Sequence, residues 1–409
     1  MTNPQKTKTD SSPATPPEDD GLSPDAGIVL DPPPEMYTEP LQEYRALTTA
    51  VALIERPHEA LFVVTGADRA RFLHSQCTGD VEGIEPGRAC RAALTTGKGK
   101  LVAELLVVAR EDDLVLLVLQ GEPDEVRASL ESRIIADDVV ITDETQRTLV
   151  VSAEGPKARD LVWRLFPGEA IPLEDDHVLP AHYQDIPVQV VRHSRTGERG
   201  FLLVAGGEHA PRIRNYLLQA GRSMHIARLG RAAWNLRRIE EGLPWWAAEA
   251  AGAFPKECRL DHLVDYEKGC YLGQETLARM HYRGHANWNL VAVAPGGDET
   301  SAPAADAQIS AAQSAGTNSS AVQEPNAQGA AGIPDPQTAA GIELFAPDHR
   351  EKAVGRITSP ANSPRRGGLV ALARVRREYA EAGTSLVGLV SGATVSFVVI
   401  PLPIEVPGE

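Results

Sequence analysis

The chain has 409 residues, 42% of them apolar, which is enough for two or three domains with real cores. Its formal net charge of −16 is concentrated: residues 1–40 carry −6 and residues 296–340 carry −5, leaving −5 for everything else. That distribution argues against a basic nucleic-acid surface, and no apolar run approaches the ~20 residues of a membrane span.

The first 40 residues hold nine prolines and few large apolar side chains, so residues 1–44 read as a flexible acidic tail. They lack the apolar run of a secretion signal and the arginines of a transit peptide. Four cysteines, Cys77, Cys90, Cys258 and Cys270, form no C-x-x-C pair and read as reduced thiols of a soluble cytoplasmic protein.

Residues 45–285 mix strands and helices. LFVVTG (61–66) predicts a strand, and Asp68 the N-cap of a short helix through Gln76. TTGKGK (95–100) resembles a phosphate loop superficially, but its lysine is not followed by Ser or Thr and the run leads into a strand; it predicts a β-turn. KLVAELLVVA (100–109) and DLVLLVLQ (113–120) read as a strand pair, and EPDEVRASLESRI (122–134) as an amphipathic helix. The order recurs: a strand, a helix over 155–166, a hairpin over 188–204 and a helix over 209–220. Strand-helix-strand-strand-helix, twice, predicts an α+β fold with two ferredoxin-like halves.

In HSRTGERGFLLV (193–204), Thr196-Gly197 supplies the expected hairpin turn and Glu198 follows it. A carboxylate there is either solvated or able to accept two hydrogen bonds from an amino-pyrimidine edge. LGRAAWNLRRIEEGLPWW (229–246) predicts a helix closed by Gly242 and Pro244, burying Leu229, Ala232, Ala233, Leu236 and Ile239. Trp234, Arg238 and Glu241 lie on a neighbouring stripe. Arg238 beside aromatic rings suits a flat anionic ligand, or else packs its stem on tryptophan.

KGCYLGQE (268–275) places Cys270 between two glycines, with Lys268 before it. Gly273 is expected to open a helix whose first turn holds Gln274 and Glu275, with Leu277 and Met280 inward and Gly284 at its end. A thiol beside Lys268 and just upstream of a helix N-terminus sits in a field that lowers its pKa. The flanking residues argue against a buried apolar slot, so the expected reactive set is Cys270 with Lys268, Gln274 and Glu275. His281, His285 and Cys258 fit no standard zinc spacing.

NWNLVAV (287–293), KAVGRIT, GGLVALARV, TSLVGLV and ATVSFVVI read as strands of a small β-barrel over 286–295 and 342–403. The Ala-, Gln- and Ser-rich residues 296–341 between them read as a disordered insertion.

KGCYLGQETLARMHYRG resembles the signature of the YgfZ family, folate-binding relatives of the glycine-cleavage aminomethyltransferase (T-protein). VTGADRARFLHSQCTGDV (64–81), RTGERGF (195–201), RRIEEGLP (237–244), FPKE (254–257) and VGRITSP (354–360) fall in family order. The resemblance implies two intertwined α+β domains with a C-terminal β-barrel around a channel for tetrahydrofolate. It implies that Glu198 holds the pterin, that Arg238 lies near the folate's glutamate end, and that Cys270 contacts a metal, an iron–sulfur cluster or a reactive intermediate. Aminomethyltransferases carry paired aspartates where this chain has Ala103-Glu104, so Glu104 becomes the candidate carboxylate; Trp234 completes the cofactor-binding set. Asn287-Trp288-Asn289 replaces an arginine the family often has after the motif.

The expected function is that of a folate-binding factor for iron–sulfur cluster assembly or repair. It would partner assembly machinery or client enzymes, including tRNA-modifying ones, with a transient cluster at Cys270. The alternatives are a folate-dependent aminomethyltransferase or demethylase, needing Glu104 but not Cys270, and a non-enzymatic folate-responsive scaffold.

Overall fold

Strand alternation and helix spacing sort the chain into two facing sheets and a barrel. A computed structural model describes residues 33–56, 58–171, 174–296, 339–390 and 393–405. Most of the expected tail and insertion, 1–32 and 297–338, lies outside the described residues.

Helix α1 (Pro40–Thr49) and strand β1 (Ala52–Glu55) come first, then β2 (Ala60–Thr65), α2 (Arg69–Gln76), β3 (Ala89–Thr95), β4 (Leu101–Ala109), β5 (Leu114–Gly121), α3 (Pro123–Glu131) and β6 (Val140–Asp143). The second half runs β7 (Thr148–Glu154), α4 (Ala158–Leu165), β8 (Val178–Tyr183), β9 (Ile186–Arg192), β10 (Gly200–Gly206), α5 (Ala210–Gly221), β11 (Ala227–Arg228) and α6 (Arg231–Glu241). One sheet has the order β3-β4-β5-β2-β6 and the other β11-β1-β7-β10-β9-β8. Because β1 precedes the first sheet in sequence yet sits inside the second, the two halves are intertwined.

β4 and β5 are buried along their whole length because both their faces are covered. On one face Leu105, Val107, Leu116 and Val118 pack with Val126 and Leu130 of α3 and Phe72 of α2. On the other, Leu106, Val108, Leu117 and Leu119 meet Val150, Val191, Leu202 and Val204 of the second sheet. The second sheet's outer face packs on Leu161 and Val162 of α4 and Ile213 and Leu217 of α5. Period-2 alternation thus sends each strand's neighbouring side chains into two different cores.

Helix α7 (Gln274–Tyr282) precedes a closed barrel built from β12 (Trp288–Pro295), β13 (Glu343–Phe345), β14 (Gly355–Ser363), β15 (Gly368–Arg376), β16 (Ser385–Val390) and β17 (Ala393–Ile400). Its order is β12-β15-β14-β13-β16-β17, and pairing of β12 with β17 closes it. Trp288, where the expected arginine is missing, opens β12 with Arg374 and Arg376 against its ring.

Several expectations need correction. The sheets hold more strands than expected, β3 and β6 in the first and β1, β8 and β11 in the second, and all of these but β1 are edge strands. β3 is alanine-rich and β8 contains Pro180, which an edge tolerates, so neither carried a strong strand signal. The tail does not extend to residue 44, because Pro40 already starts α1. Glu43 is wholly buried and accepts the N–H groups of Tyr37, Thr38 and Gly230, so a residue counted as solvated is a backbone anchor. Ala339, counted within the expected insertion, is likewise buried. Asp68 precedes α2 as expected but makes no cap bond within it; its carboxylate accepts Asp138 N–H and Arg71 instead. Helix α6, by contrast, ends at Gly242 as expected, and the φ of 72° there suits a left-handed cap.

Candidate ligand-binding cavity

A cavity of about 310 Å³ lies where β4, β5, the loop after β9 and α6 converge, within the range of small-molecule sites. The four expected cofactor-binding residues, Glu104, Glu198, Trp234 and Arg238, all line it. The expected reactive set, Cys270, Lys268, Gln274 and Glu275, does not.

Glu104 reaches the cavity because the strand pairing is irregular on both sides of it. The β3–β4 register shifts beside Thr95, and the β4–β5 register shifts just after Glu104. Such bulges re-aim side chains. Alternation turns Ala103 into the core of the first sheet, so position 103 does not face the cavity. Gln120 Nε2 donates to Glu104 Oε2 at 2.7 Å, and Arg195 Nη1 stands 3.5 Å from Oε1.

Glu198 sits in a loop, not at a two-residue turn. Seven residues, 193–199, separate β9 from β10, and they fold over the buried carboxylate of Glu154 at the end of β7. Glu154 accepts hydrogen bonds from Ser152 Oγ (2.6 Å), Ser194 Oγ (2.8 Å), Arg195 N–H (2.8 Å) and Thr196 Oγ1 (2.8 Å). A tight hairpin would leave that carboxylate unpaired, at a cost of several kcal/mol. Glu198 itself accepts from Arg237 Nη2 at 2.7 Å. Burial raises its pKa, opposed by the Arg237 charge.

Arg238 is buried, donating to Ser359 Oγ of the barrel at 2.8 Å and facing Glu249 at 3.5 Å. Burial lowers its pKa, and Glu249 opposes that. Glu249 lies in a π-helical turn, Trp246–Ala250, and also accepts Trp245 N–H at 2.7 Å. Trp245 and Trp234 meet edge to face at 5.8 Å, and Trp234 Nε1 donates to Arg195 O. Arg91 and His262 complete the far wall.

Arg237 and Glu154 were missed in the sequence. The signal for Arg237 was present: Leu229, Ala233, Arg237 and Glu240 share the buried stripe of α6. Glu154 had only its place in the alternating run SAE at the end of an apolar strand.

The polar and aromatic groups lining the cavity suit a folate. Two carboxylates suit an amino-pyrimidine edge, two indoles a flat ring, and a guanidinium an anionic tail. Gln120 Oε1, His193 Nε2, Arg195 Nε and Arg238 Nε are buried without a partner, and all four side chains line the cavity.

The KGCYLGQE segment packs elsewhere, against the C-terminal end of α2 and the β3–β4 turn. Lys268 Nζ donates to His74 O (2.7 Å), Cys77 O (2.8 Å) and Gly79 O (2.6 Å). Leu272 N–H donates to Ser75 O, and Leu272 O accepts from Thr95 Oγ1. Cys270 therefore stands exposed on a loop pinned on both sides. The TTGKGK run is the turn expected of it, and Gly273, at φ 86°, packs on it. Gln274 opens α7 and Glu275 is exposed. His281 stacks on Tyr266 and Cys258 is buried; among the described residues no three His, Cys, Asp or Glu side chains gather as for a metal.

Two sheets, a six-stranded barrel and a cavity between them define the aminomethyltransferase fold. The GCVT N-terminal domain model matches residues 33–268 and the glycine cleavage T-protein C-terminal barrel domain matches residues 333–404, so the chain belongs to the GCVT family. It is 28% identical to an aminomethyltransferase of Chlorobium phaeobacteroides over 63% of this chain and 72% of that protein. A Cutibacterium acnes aminomethyltransferase is 25% identical over 90% of this chain and 91% of that one. The crystal structure of the glycine cleavage system aminomethyltransferase T from Bartonella henselae superposes with a TM-score of 0.71 at 19% identity, covering 89% of both chains.

Proposed function

We propose that the protein binds tetrahydrofolate in this cavity and performs one-carbon transfer there, as a folate-dependent aminomethyltransferase or demethylase. What carries this reading is the convergence of Glu104, Glu198, Trp234 and Arg238 on one cavity from distant segments. Tetrahydrofolate would supply the nitrogen that accepts the one-carbon unit. Glu198 orients the pterin through its donor edge, the indoles flank the flat rings, and Arg238 faces the anionic tail. Glu104, aligned by Gln120 and Arg195, is placed to move a proton. The absent second aspartate does not weigh against this, since position 103 faces the core.

Calorimetric titration with (6S)-tetrahydrofolate tests the proposal. Saturable binding by wild type and its loss in Glu198→Gln are expected; equal binding by both would remove Glu198 from the site, and none by either would overturn the folate assignment.

The exposed, pinned thiol favours a second reading, in which KGCYLGQE marks the YgfZ branch and Cys270 serves iron–sulfur cluster assembly or repair. A cluster at Cys270 would take its other ligands from a partner, such as assembly machinery or a client enzyme. Iron–sulfur enzyme activity in cells lacking the protein, complemented with wild type or Cys270→Ala, decides it. Equal rescue by both would end this second reading.

A further inference from the structure

We infer that Glu154 is a positioning residue that holds both cavity carboxylates in place. Its side chain is fully buried and makes no direct contact with Glu104 or Glu198 among its hydrogen bonds. Three of its four donors, Ser194 Oγ, Arg195 N–H and Thr196 Oγ1, belong to consecutive residues of the 193–199 loop. The fourth, Ser152 Oγ, comes from β7 itself.

From that clamp two short paths lead to the cavity. Thr196 Oγ1, which donates to Glu154, also accepts the N–H of Glu198 at 3.3 Å and so sets the backbone of that residue. Arg195, whose N–H is held by Glu154, sends Nη1 to Glu104 and Nη2 to Leu119 O at 3.2 Å, while its carbonyl accepts Trp234 Nε1. One buried carboxylate thus fixes the loop that carries Glu198 and the arginine that aligns Glu104. Gly200 makes room for it: a Cβ there would lie 2.8 Å from Glu154 Oε2 and 2.6 Å from His193 O. A buried carboxylate satisfied by four donors is costly to assemble and specific in geometry, and it is unneeded for a plain hairpin.

The inference deepens the folate assignment and rests on it. It separates Ser152, which supports Glu154 from the sheet side, from Thr196, which transmits its position to Glu198. Tetrahydrofolate titration and hydrogen exchange of residues 193–199 are measured on wild type, Glu154→Gln, Thr196→Val and Ser152→Ala. Glu154→Gln and Thr196→Val are expected to bind roughly tenfold more weakly, through lost preorganisation, and to exchange faster at Arg195 and Glu198. Ser152→Ala is expected to melt earlier yet bind as wild type does. If Glu154→Gln does not fold, Thr196→Val carries the test.

Wild-type affinity and exchange in both Glu154→Gln and Thr196→Val would overturn the inference, as would equal weakening in Ser152→Ala. If wild type itself does not bind, the folate assignment falls, and loop exchange alone decides the role of Glu154.

Discussion

Arg237 donates to Glu198 across 2.7 Å from a stripe of α6 that otherwise serves the core. Its guanidinium also pairs with Glu241 at 2.8 Å, and Arg365 of the barrel reaches the same Glu241 at 3.1 Å. The barrel, the helix and the cavity are joined by one chain of alternating charges. Only one oxygen of Glu198 is used by it.

This pairing predicts a pH profile. Burial holds the Glu198 pKa above the ordinary carboxylate range, and Arg237 opposes the shift. A donor edge needs the carboxylate ionised, so folate affinity falls as pH drops through that raised value. In Arg237→Met the fall sets in at higher pH, because the opposing cation is gone. Titrations across pH check this; superimposable profiles would refute it. Stability has the opposite sign. Folding stabilisation from Glu198 is full below the unfolded carboxyl pKa and is lost as pH rises through the folded one. Glu198→Gln should therefore melt no lower than wild type at neutral pH while losing ligand.

Glu104→Gln separates chemistry from binding. The amide keeps the volume and still accepts a hydrogen bond from Gln120, but it cannot move a proton. Turnover of a folate-linked one-carbon unit is expected to fall by about 10²-fold or more, with tetrahydrofolate affinity little changed. Unchanged turnover in a rapid-quench assay would exclude Glu104 from the reaction.

Cys270 should be the first thiol to react. Burial pushes Cys90 and Cys258 up to about 12 and raises Cys77, so these three stay protonated and shielded. Labelling with a thiol-specific disulfide reagent should show one fast phase in the native protein. Cys270→Ala should remove that phase without shifting the melting temperature, since the side chain is exposed.

Lys268→Met tests whether the motif's lysine is structural. Its ammonium holds three carbonyls around the end of α2, and hydrogen bonds to a charged donor contribute ~1.5–3 kcal/mol. A melting temperature several degrees lower is expected, with Cys270 labelling faster as the loop loosens. Wild-type melting would mean the three contacts contribute nothing. Gly273→Ala should destabilise too: φ is 86°, and its Cβ would lie 2.6 Å from Thr96 O.

Much of this was legible in the chain. Alternating apolar runs marked β4, β5, β10 and the barrel strands, because period 2 is a local property. Glycines and prolines marked where α6 stops. Candidate residues Glu104, Glu198, Trp234 and Arg238 were recognisable from motifs and their order. The edge strands β3 and β8 were not, since little at an edge demands β-branched side chains.

Local order determined which residues were available, but the packing of distant segments determined how they are used. Glu198 and Arg237 are far apart in the chain, and only the fold pairs them. Lys268 reads as a neighbour of Cys270, yet its ammonium is spent on carbonyls 189 to 194 residues upstream. Glu154 and Glu43 read as ordinary carboxylates until burial forces each to find donors. A sequence records spacing along one chain. Desolvation, which makes a buried charge choose its partners, exists only once the chain has closed around it.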